Sequence, residues 1–529
     1  MDPSMTRAQY EAMYRKWVKN SCLRKVADEV FALYSENDLT TEVAFITLAR
    51  RDHVVSIGLI AVSPVHQRKG LGMALINRAK VYASEHCLKL EVATQSENVG
   101  ARRLYEKAGF QIKNSSTDYH VWLPKPPSQK IKGNMPYVTF REKSNMMTLF
   151  KTKGIESCGS FTIQCQRWLE KRIQSPCVLL CGSATAALDQ AAIVLDLKPG
   201  DEVILPSYTF VSTANCFVLR GAVPVFVDVR SDTLNIDETK IEAAVTPRTK
   251  AICVVHYAGL PCEMDTIMEI AKRRNLLVIE DAAQAFLSCY KGKPLGSIGH
   301  LGCFSFHYTK NVICGEGGAL CINDAKYVDR SHIVWEKGTN RFSFLSGKVD
   351  KYWWVDIGSS FVPNELTASF LMAQLVEADR ITAKRRLIFD TYANFLKPVL
   401  ESFDGIDIVP SKPSSNGHIF WICFKDVTQR QHVQKCLSQD GIECFTHYVP
   451  LHRSPAGERF GRTHDSNMEM TEKAGTRLVR LPIWNSMNWQ QVYAVIKAVL
   501  ISLDCAHLPA SHSVRNFFTE KWKNQVASF

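Results

Sequence analysis

Lys310 stands in SFHYTKNVICGEGG, Ser305–Gly318, after a short apolar run and before a glycine-rich turn. A lysine in a partly desolvated pocket near other cations has a lowered pKa and can form a Schiff base with a carbonyl. Asp281 closes the apolar run Val278–Asp281. A carboxylate there fits a helix N-cap, and it fits equally a partner that keeps a pyridinium nitrogen protonated. In CGSATAALD, Cys181–Asp189, the small residues Gly182, Ser183, Ala184 and Thr185 precede a helical run. Their amides can approach a phosphate at the positive helix start, although a Ser/Thr N-cap explains the same residues. A second turn lies nearer the N-terminus. Gln67, Arg68, Lys69, Gly70, Leu71, Gly72 and Met73 form a Q-x-x-G-x-G arrangement directly before a helical stretch, suited to a pyrophosphate.

These residues need elements that converge on them. Short apolar strands are expected at Asp201–Pro206, Val223–Val229, Lys250–Ala258, Asn275–Ala283 and Gly302–Phe306. Helical stretches alternate with them, as at Phe210–Gly221 and Glu263–Arg274. Near-continuous apolar strands alternating with helices predict a mostly parallel α/β sheet covered on both faces. In such sheets ligands collect at the carboxyl ends of the strands, where Asp281, Lys310 and the Ser183 turn lie. The texture changes near Asp379, where a long helix, Arg380–Leu400, leads into a mixed segment that reads as a smaller α+β domain. In the N-terminal region Val43–Arg50 is the first clear strand, and Gly58–Ala83 reads as strand, turn and helix.

The chain has 529 residues with an ordinary apolar and charged balance, so several domains with packed cores are expected. KPPSQKIKGNMP, residues 125–136, reads as a linker. The expected divisions are residues 1–124, linker 125–136, a large domain 137–378, a small domain 379–504 and a tail 505–529 with no assignable role. The surplus of 12 basic charges suits anionic small ligands, and no dense basic run interleaved with aromatics points to nucleic acid. The 17 cysteines lack zinc-ligand spacing, so no metal is expected. Scattered thiols, a polar N-terminus and no apolar run of about 18 residues lead us to expect a cytoplasmic protein with no membrane partner.

In chain order, the phosphate turn, PSYTFVSTAN (Pro206–Asn215), VIEDAAQA and the lysine resemble the DegT/DnrJ/EryC1/StrS sugar-nucleotide aminotransferases from about Tyr137 to Leu503. The resemblance implies a fold-type I pyridoxal-phosphate transferase and a homodimer. HYAG (His256–Gly259), Glu336–Ser360 and HYVPLH (His447–His452) are similar to its TDP-4-keto-6-deoxyglucose transaminase branch, which uses glutamate to make TDP-4-amino-4,6-dideoxygalactose. Ser360 replaces the asparagine of the broad family and is shared with that branch. By resemblance, Lys310 binds pyridoxal 5'-phosphate and moves the proton between cofactor and sugar carbons. Asp281 pairs the pyridine nitrogen, Gln284 lies near the ring face and phenolic oxygen, and Phe210 stacks on the ring. Ser183, Ala184, Thr185 and Ser305 hold the phosphate, and Gly338–Phe344 serves the partner's site.

The N-terminal turn, its flanking strands and SENVGARRLYEKAGF resemble the GNAT acetyltransferase fold over roughly Val30–Leu123. YRKWVKNS (Tyr14–Ser21) and Val92–Phe110 are similar to the TDP-fucosamine acetyltransferases, which carry a longer N-terminal segment. The resemblance implies acetyl-CoA at Val62 and along Gln67–Met73, with Asn98 and Ala101 near the pantetheine arm. Tyr105 would protonate the leaving thiolate; it also fits an apolar helix anchor beside Phe110. Together the halves imply a bifunctional enzyme of polysaccharide biosynthesis, transaminating and then N-acetylating a TDP-sugar. The alternative is transamination alone, with a degenerate acetyl-CoA-binding or regulatory module.

Overall fold

The computed structural model describes residues 27–35, 38–51, 53–94, 98–112, 130–154, 157–505 and 508–526. Tyr14–Ser21 lies outside them. The chain divides into two compact units, residues 1–124 and 125–529.

In the first unit, β1 (Glu29–Ser35), β2 (Asp38–Arg51) and β3 (Val54–Val62) are antiparallel neighbours, and β4 (Lys89–Val92) runs parallel to β3. The helix α1 (Leu71–Glu85) buries Leu75, Ala79 and Ala83 against Ile46, Leu48, Val55 and Ile57. A shorter helix, α2 (Val99–Lys107), follows β4. β1 precedes the strand expected to come first. Its side chains are almost all half-buried, so it carries no alternation of apolar and polar residues by which a sequence could announce a strand.

The second unit contains an eight-stranded sheet. In chain order its main strands are β5 (Cys177–Cys181), β6 (Glu202–Pro206), β7 (Val223–Val227), β8 (Thr249–Val255), β9 (Leu277–Asp281), β10 (Leu301–Ser305) and β11 (Gly318–Ile322). Across the sheet the order is Arg462–Thr463, β7, β6, β8, β9, β10, β11, β5. β11 alone runs against its neighbours, so the sheet is mostly parallel, as the strand–helix alternation led us to expect. Both faces are covered. Val178 and Leu180 of β5 join one core with Leu169 and Ile173, while Leu179 and Cys181 join another with Ala187 and Leu188. Successive side chains of a strand point to opposite faces, so a strand covered twice must be apolar throughout. Three helices flank the ends that matter below: α3 (Ala184–Val194), α4 (Val211–Val218) and α5 (Met264–Arg274).

The long helix α6 (Ala378–Leu400) leads into a three-stranded antiparallel sheet of β12 (Asp407–Ile408), β13 (Phe420–Cys423) and β14 (Leu478–Leu481). α7 (Trp489–Ser502) completes that core with Val492, Val495 and Val499. The tail is part of it. Residues Ser511–Val526 form α8, whose Val514 and Phe518 are buried in the same core. The Lys384 ammonium of α6 lies 4.3 Å from the Phe518 ring centre and 4.9 Å from that of Trp522. Part of the stretch read as a linker is also tied down. Ile131 is buried in a parallel bridge to Ile442, and Trp484 Nε1 donates to the Lys132 carbonyl at 2.8 Å. Among the described residues no helix is long and apolar enough to cross a membrane.

Candidate functional site

β9 ends in Asp281, and the site grows from that strand end. Asp281 Oδ2 accepts from Thr213 Oγ1 at 2.7 Å, and Oδ1 accepts from the Ala283 amide at 3.1 Å. Burial pushes the carboxyl pKa up; the two hydrogen bonds and the neighbouring Lys310 and His256 act against that rise. No basic side chain forms an ion pair with it among the described residues.

Lys310 follows the neighbouring strand, β10, through a turn in which its amide donates to the His307 carbonyl at 2.9 Å. Burial pushes its ammonium down to about 8; the Asp281 carboxylate pulls the other way, and the Arg480 guanidinium adds to the fall. A small cavity joins Lys310 to Gln284, Ser305, Asn311, Asn416 and His418. Gln284 is held at both ends. Its Oε1 accepts from the Ala258 amide and its Nε2 donates to Tyr448 Oη, both at 2.7 Å.

The small-residue turn lies beside these groups because of sheet register. Ser305 of β10 pairs with Gly318 of β11, which pairs with Cys181 of β5. A Cβ at Gly318 would stand 2.5 Å from the Ala184 amide nitrogen, so only glycine lets the start of α3 approach this closely. Ser183 caps α3, accepting from the Ala186 amide at 3.0 Å, and Thr185 Oγ1 is 2.7 Å from Ser212 Oγ. Ser183, Ala184, Thr185 and Ser305 thus share one corner, where helix amides face outward and attract an anion. Phe210, at the N-cap of α4, is 54% exposed, with its ring centre 6.3 Å from that of Tyr448.

Several residues around this centre carried no assigned role in the sequence reading. Thr213 fixes the Asp281 carboxylate. Tyr208, Tyr257, His447 and Tyr448 form a box of rings: Tyr257 Oη is 2.6 Å from His447 Nδ1, and the His447 and Tyr448 rings stack at 3.7 Å. HYAG and HYVPLH had marked two of these segments, but a buried tyrosine reads in sequence as ordinary core.

In the first unit, β3 and β4 pair only from Val54↔Lys89 to Ile57↔Val92. β3 continues to Val62, so Gly58–Val62 offers unpaired backbone along that edge among the described residues. Gln67 Nε2 donates to the Val62 carbonyl at 3.4 Å. Arg68 and Gly70 adopt positive φ (61° and 82°), and the exposed Arg68 and Lys69 flank the entry to α1. No side chain caps α1, which leaves the first-turn amides at Leu71, Gly72 and Met73 free to bind an anion. Asn98 caps α2 through its Oδ1, accepting from the Ala101 amide at 3.1 Å. Tyr105 is buried among Ile60, Val92 and Phe110, close to where the strands part, and burial pushes its hydroxyl pKa up. The two clusters belong to separate units.

The family model of the DegT/DnrJ/EryC1/StrS aminotransferases matches residues 139–500, and that of the GNAT acetyltransferases matches residues 3–110. GDP-perosamine synthase of Caulobacter vibrioides is 31% identical over 371 residues, 69% of this chain and 96% of that protein. The dTDP-4-dehydro-2,3,6-trideoxy-D-glucose 4-aminotransferase of Saccharopolyspora spinosa is 33% identical over 326 residues, 60% of this chain and 82% of its own. Among solved structures, the PLP form of a putative sugar aminotransferase from Streptococcus pneumoniae superposes with a TM-score of 0.65 at 25% identity, covering 72% of this chain and all of that one.

Proposed function

Because the chain belongs to the DegT/DnrJ/EryC1/StrS family of pyridoxal-phosphate-dependent sugar aminotransferases and carries a GNAT domain, we propose that it performs two consecutive steps on one sugar nucleotide. In this reading glutamate aminates carbon 4 of TDP-4-keto-6-deoxyglucose to give TDP-4-amino-4,6-dideoxygalactose. Acetyl-CoA then acetylates the new amine. The observation that carries the reading is the pairing of an amine-forming centre and an amine-acylating fold in one chain. Covalent tethering keeps the intermediate near its second catalyst.

The residues suit pyridoxal phosphate. Asp281 is a buried carboxylate without a cationic hydrogen-bond partner, as a protonated ring nitrogen requires, and the corner at Ser183–Thr185 and Ser305 suits its phosphate. When bound, the cofactor supplies an electron sink that makes the proton on a nitrogen-bearing carbon labile. Lys310 would hold it covalently and carry that proton between carbons. Thr213 and the Ala283 amide would keep Asp281 aimed at the ring nitrogen, Gln284 would sit against the ring and its phenolic oxygen, and Phe210 would cover its exposed face. In the first unit, Val62, Gln67–Met73, Asn98 and Ala101 would receive acetyl-CoA. Tyr105, kept protonated by burial, would act as general acid. We further propose a homodimer through residues 137–504, in which Gly338–Phe344 reaches the partner's site, and a cytoplasmic location.

Incubating the protein with TDP-4-keto-6-deoxyglucose, glutamate and acetyl-CoA should yield the 4-acetamido sugar, identified by ring NMR. Tyr105→Phe should slow acetylation by about 10²–10⁴-fold, the range for a general acid, and leave the amino sugar to accumulate. Absence of acetylated sugar from the unaltered protein refutes the two-step reading.

The amine of Lys310 supplies a separate check. Only its neutral form attacks an aldehyde, and burial lowers its pKa to about 8. Below that value, recombination of the apoprotein with pyridoxal phosphate should quicken about tenfold per pH unit, and it should level off above. Stopped-flow absorbance reads this directly. A midpoint near that of free lysine would mean that the side chain is fully hydrated.

A further inference from the structure

Arg480, on β14, carries a charge that the fold does not balance. Its guanidinium makes no ion pair among the described residues, and its buried Nε has no hydrogen-bond partner. Arg248 and Arg462 pair with Glu202, and Arg386 with Asp390. Arg220, Arg385 and Arg430 also have a buried Nε without a hydrogen-bond partner and no ion pair among the described residues, but it is the Arg480 charge that acts on Lys310. An arginine cannot shed its proton to escape the cost of a dry environment. Such a group is suited to an anion that arrives with a ligand.

Its position says which ligand. Arg480 and Phe445 face each other in an antiparallel bridge, and the guanidinium lies 5.9 Å from the Phe445 ring centre. His447 stands two residues on from Phe445, within reach of the Arg480 charge. His447 is hydrogen-bonded to Tyr257 and stacked on Tyr448, whose hydroxyl holds Gln284. The arginine therefore belongs to the ring box beside the cavity of Lys310. Its charge reaches Lys310 and His447 alike, lowering the pKa of both. Burial keeps His447 neutral, so it adds no second cation for a doubly charged diphosphate. One planar guanidinium among rings matches one planar carboxylate. An amino acid that delivers its nitrogen at Lys310 carries a carboxylate one carbon away.

We propose that Arg480 receives a carboxylate of the amino donor and thereby selects an amino acid as the nitrogen source. This rests on the reading that the donor is glutamate. The test uses the holoenzyme and glutarate, a dicarboxylate that cannot transfer nitrogen. Calorimetry of glutarate binding is paired with single-turnover measurement of each half-reaction. Arg480→Gln should weaken glutarate binding by about tenfold or more, the size of a lost charge-assisted pair, and raise the glutamate concentration for half-saturation in parallel. Amination of the keto-sugar by the pre-aminated enzyme should change far less than the glutamate half-reaction, shifting only as the loss of the Arg480 charge raises the Lys310 pKa. Arg480→Lys, which keeps the charge without the fork, should recover part of the binding. Glutarate affinity that is absent in the unaltered enzyme or unmoved by both substitutions overturns the proposal. So does a defect confined to the sugar-nucleotide half-reaction, which would assign Arg480 to the diphosphate. Arg480-dependent glutarate binding by an enzyme that aminates no TDP-sugar upholds the carboxylate site while removing the sugar assignment.

Discussion

Lys310→Ala should abolish amino transfer, lowering single-turnover rates by about 10⁴-fold or more, because in the proposed reading one side chain supplies both the covalent link and the proton carrier. The fold should survive the change. Lys310 Nζ makes no ion pair or hydrogen bond among the described residues, and its pKa lies near 8 because burial disfavours the charged form. A lysine whose folded pKa is depressed binds fewer protons folded than unfolded. Its penalty on stability therefore grows as pH falls from about 10.5 to about 8 and is fully present at neutral pH. Removing it should leave the melting temperature unchanged or raise it. Two measurements decide the matter: borohydride trapping with peptide mass spectrometry should find the cofactor on Lys310 in the unaltered protein, and thermal unfolding should show the variant intact. Labelling elsewhere, or substantial transamination by an intact Lys310→Ala protein, would move the chemistry to another residue.

What was legible in the sequence divides along a physical line. The parallel sheet could be read because strands covered on both faces must be largely apolar, as β5 is throughout and β6 is after Glu202. The small-residue corner at the start of α3 could be read because a close helix approach restricts residues to small ones, and Gly318 shows how tight that restriction is. Lys310 and Asp281 stood at strand ends, where polar residues interrupt apolar runs. Thr213 and Tyr257 could not be assigned in this way. Each is buried and hydrogen-bonded across tens or hundreds of residues, and no local spacing encodes such a partner. Arg480 was hidden for a related reason: an arginine in sequence looks solvated, and only its orphaned Nε and its action on Lys310 and His447 in the folded chain make it notable. The tail helix α8 was hidden because its two buried side chains, Val514 and Phe518, sit among charged and polar residues and find their apolar surface on α6 and α7.

Asp281→Asn separates holding the cofactor from activating it. The amide keeps the shape of the side chain, and the Thr213 hydroxyl, which donates to Oδ2 at 2.7 Å, can still donate to the remaining carbonyl oxygen or turn to accept from the amide. Lys310 and the corner at Ser183–Thr185 are untouched, so the variant should load with cofactor and keep its covalent attachment. What it loses, in the proposed reading, is the negative charge opposite the ring nitrogen. Unpairing one member of a buried charge pair costs about 3–5 kcal/mol, or about two to three and a half orders of magnitude in rate. Turnover should therefore fall by that range while loading stays near complete. A second consequence follows from the same electrostatics. The Asp281 carboxylate raises the pKa of Lys310 against the effect of burial. Without it the lysine pKa should fall below about 8, moving the midpoint for recombination of apoprotein and cofactor to lower pH. A variant that loses activity but keeps the original midpoint would place Asp281 too far from Lys310 to act on it, and one that keeps full activity would show that the ring nitrogen needs no carboxylate in this enzyme.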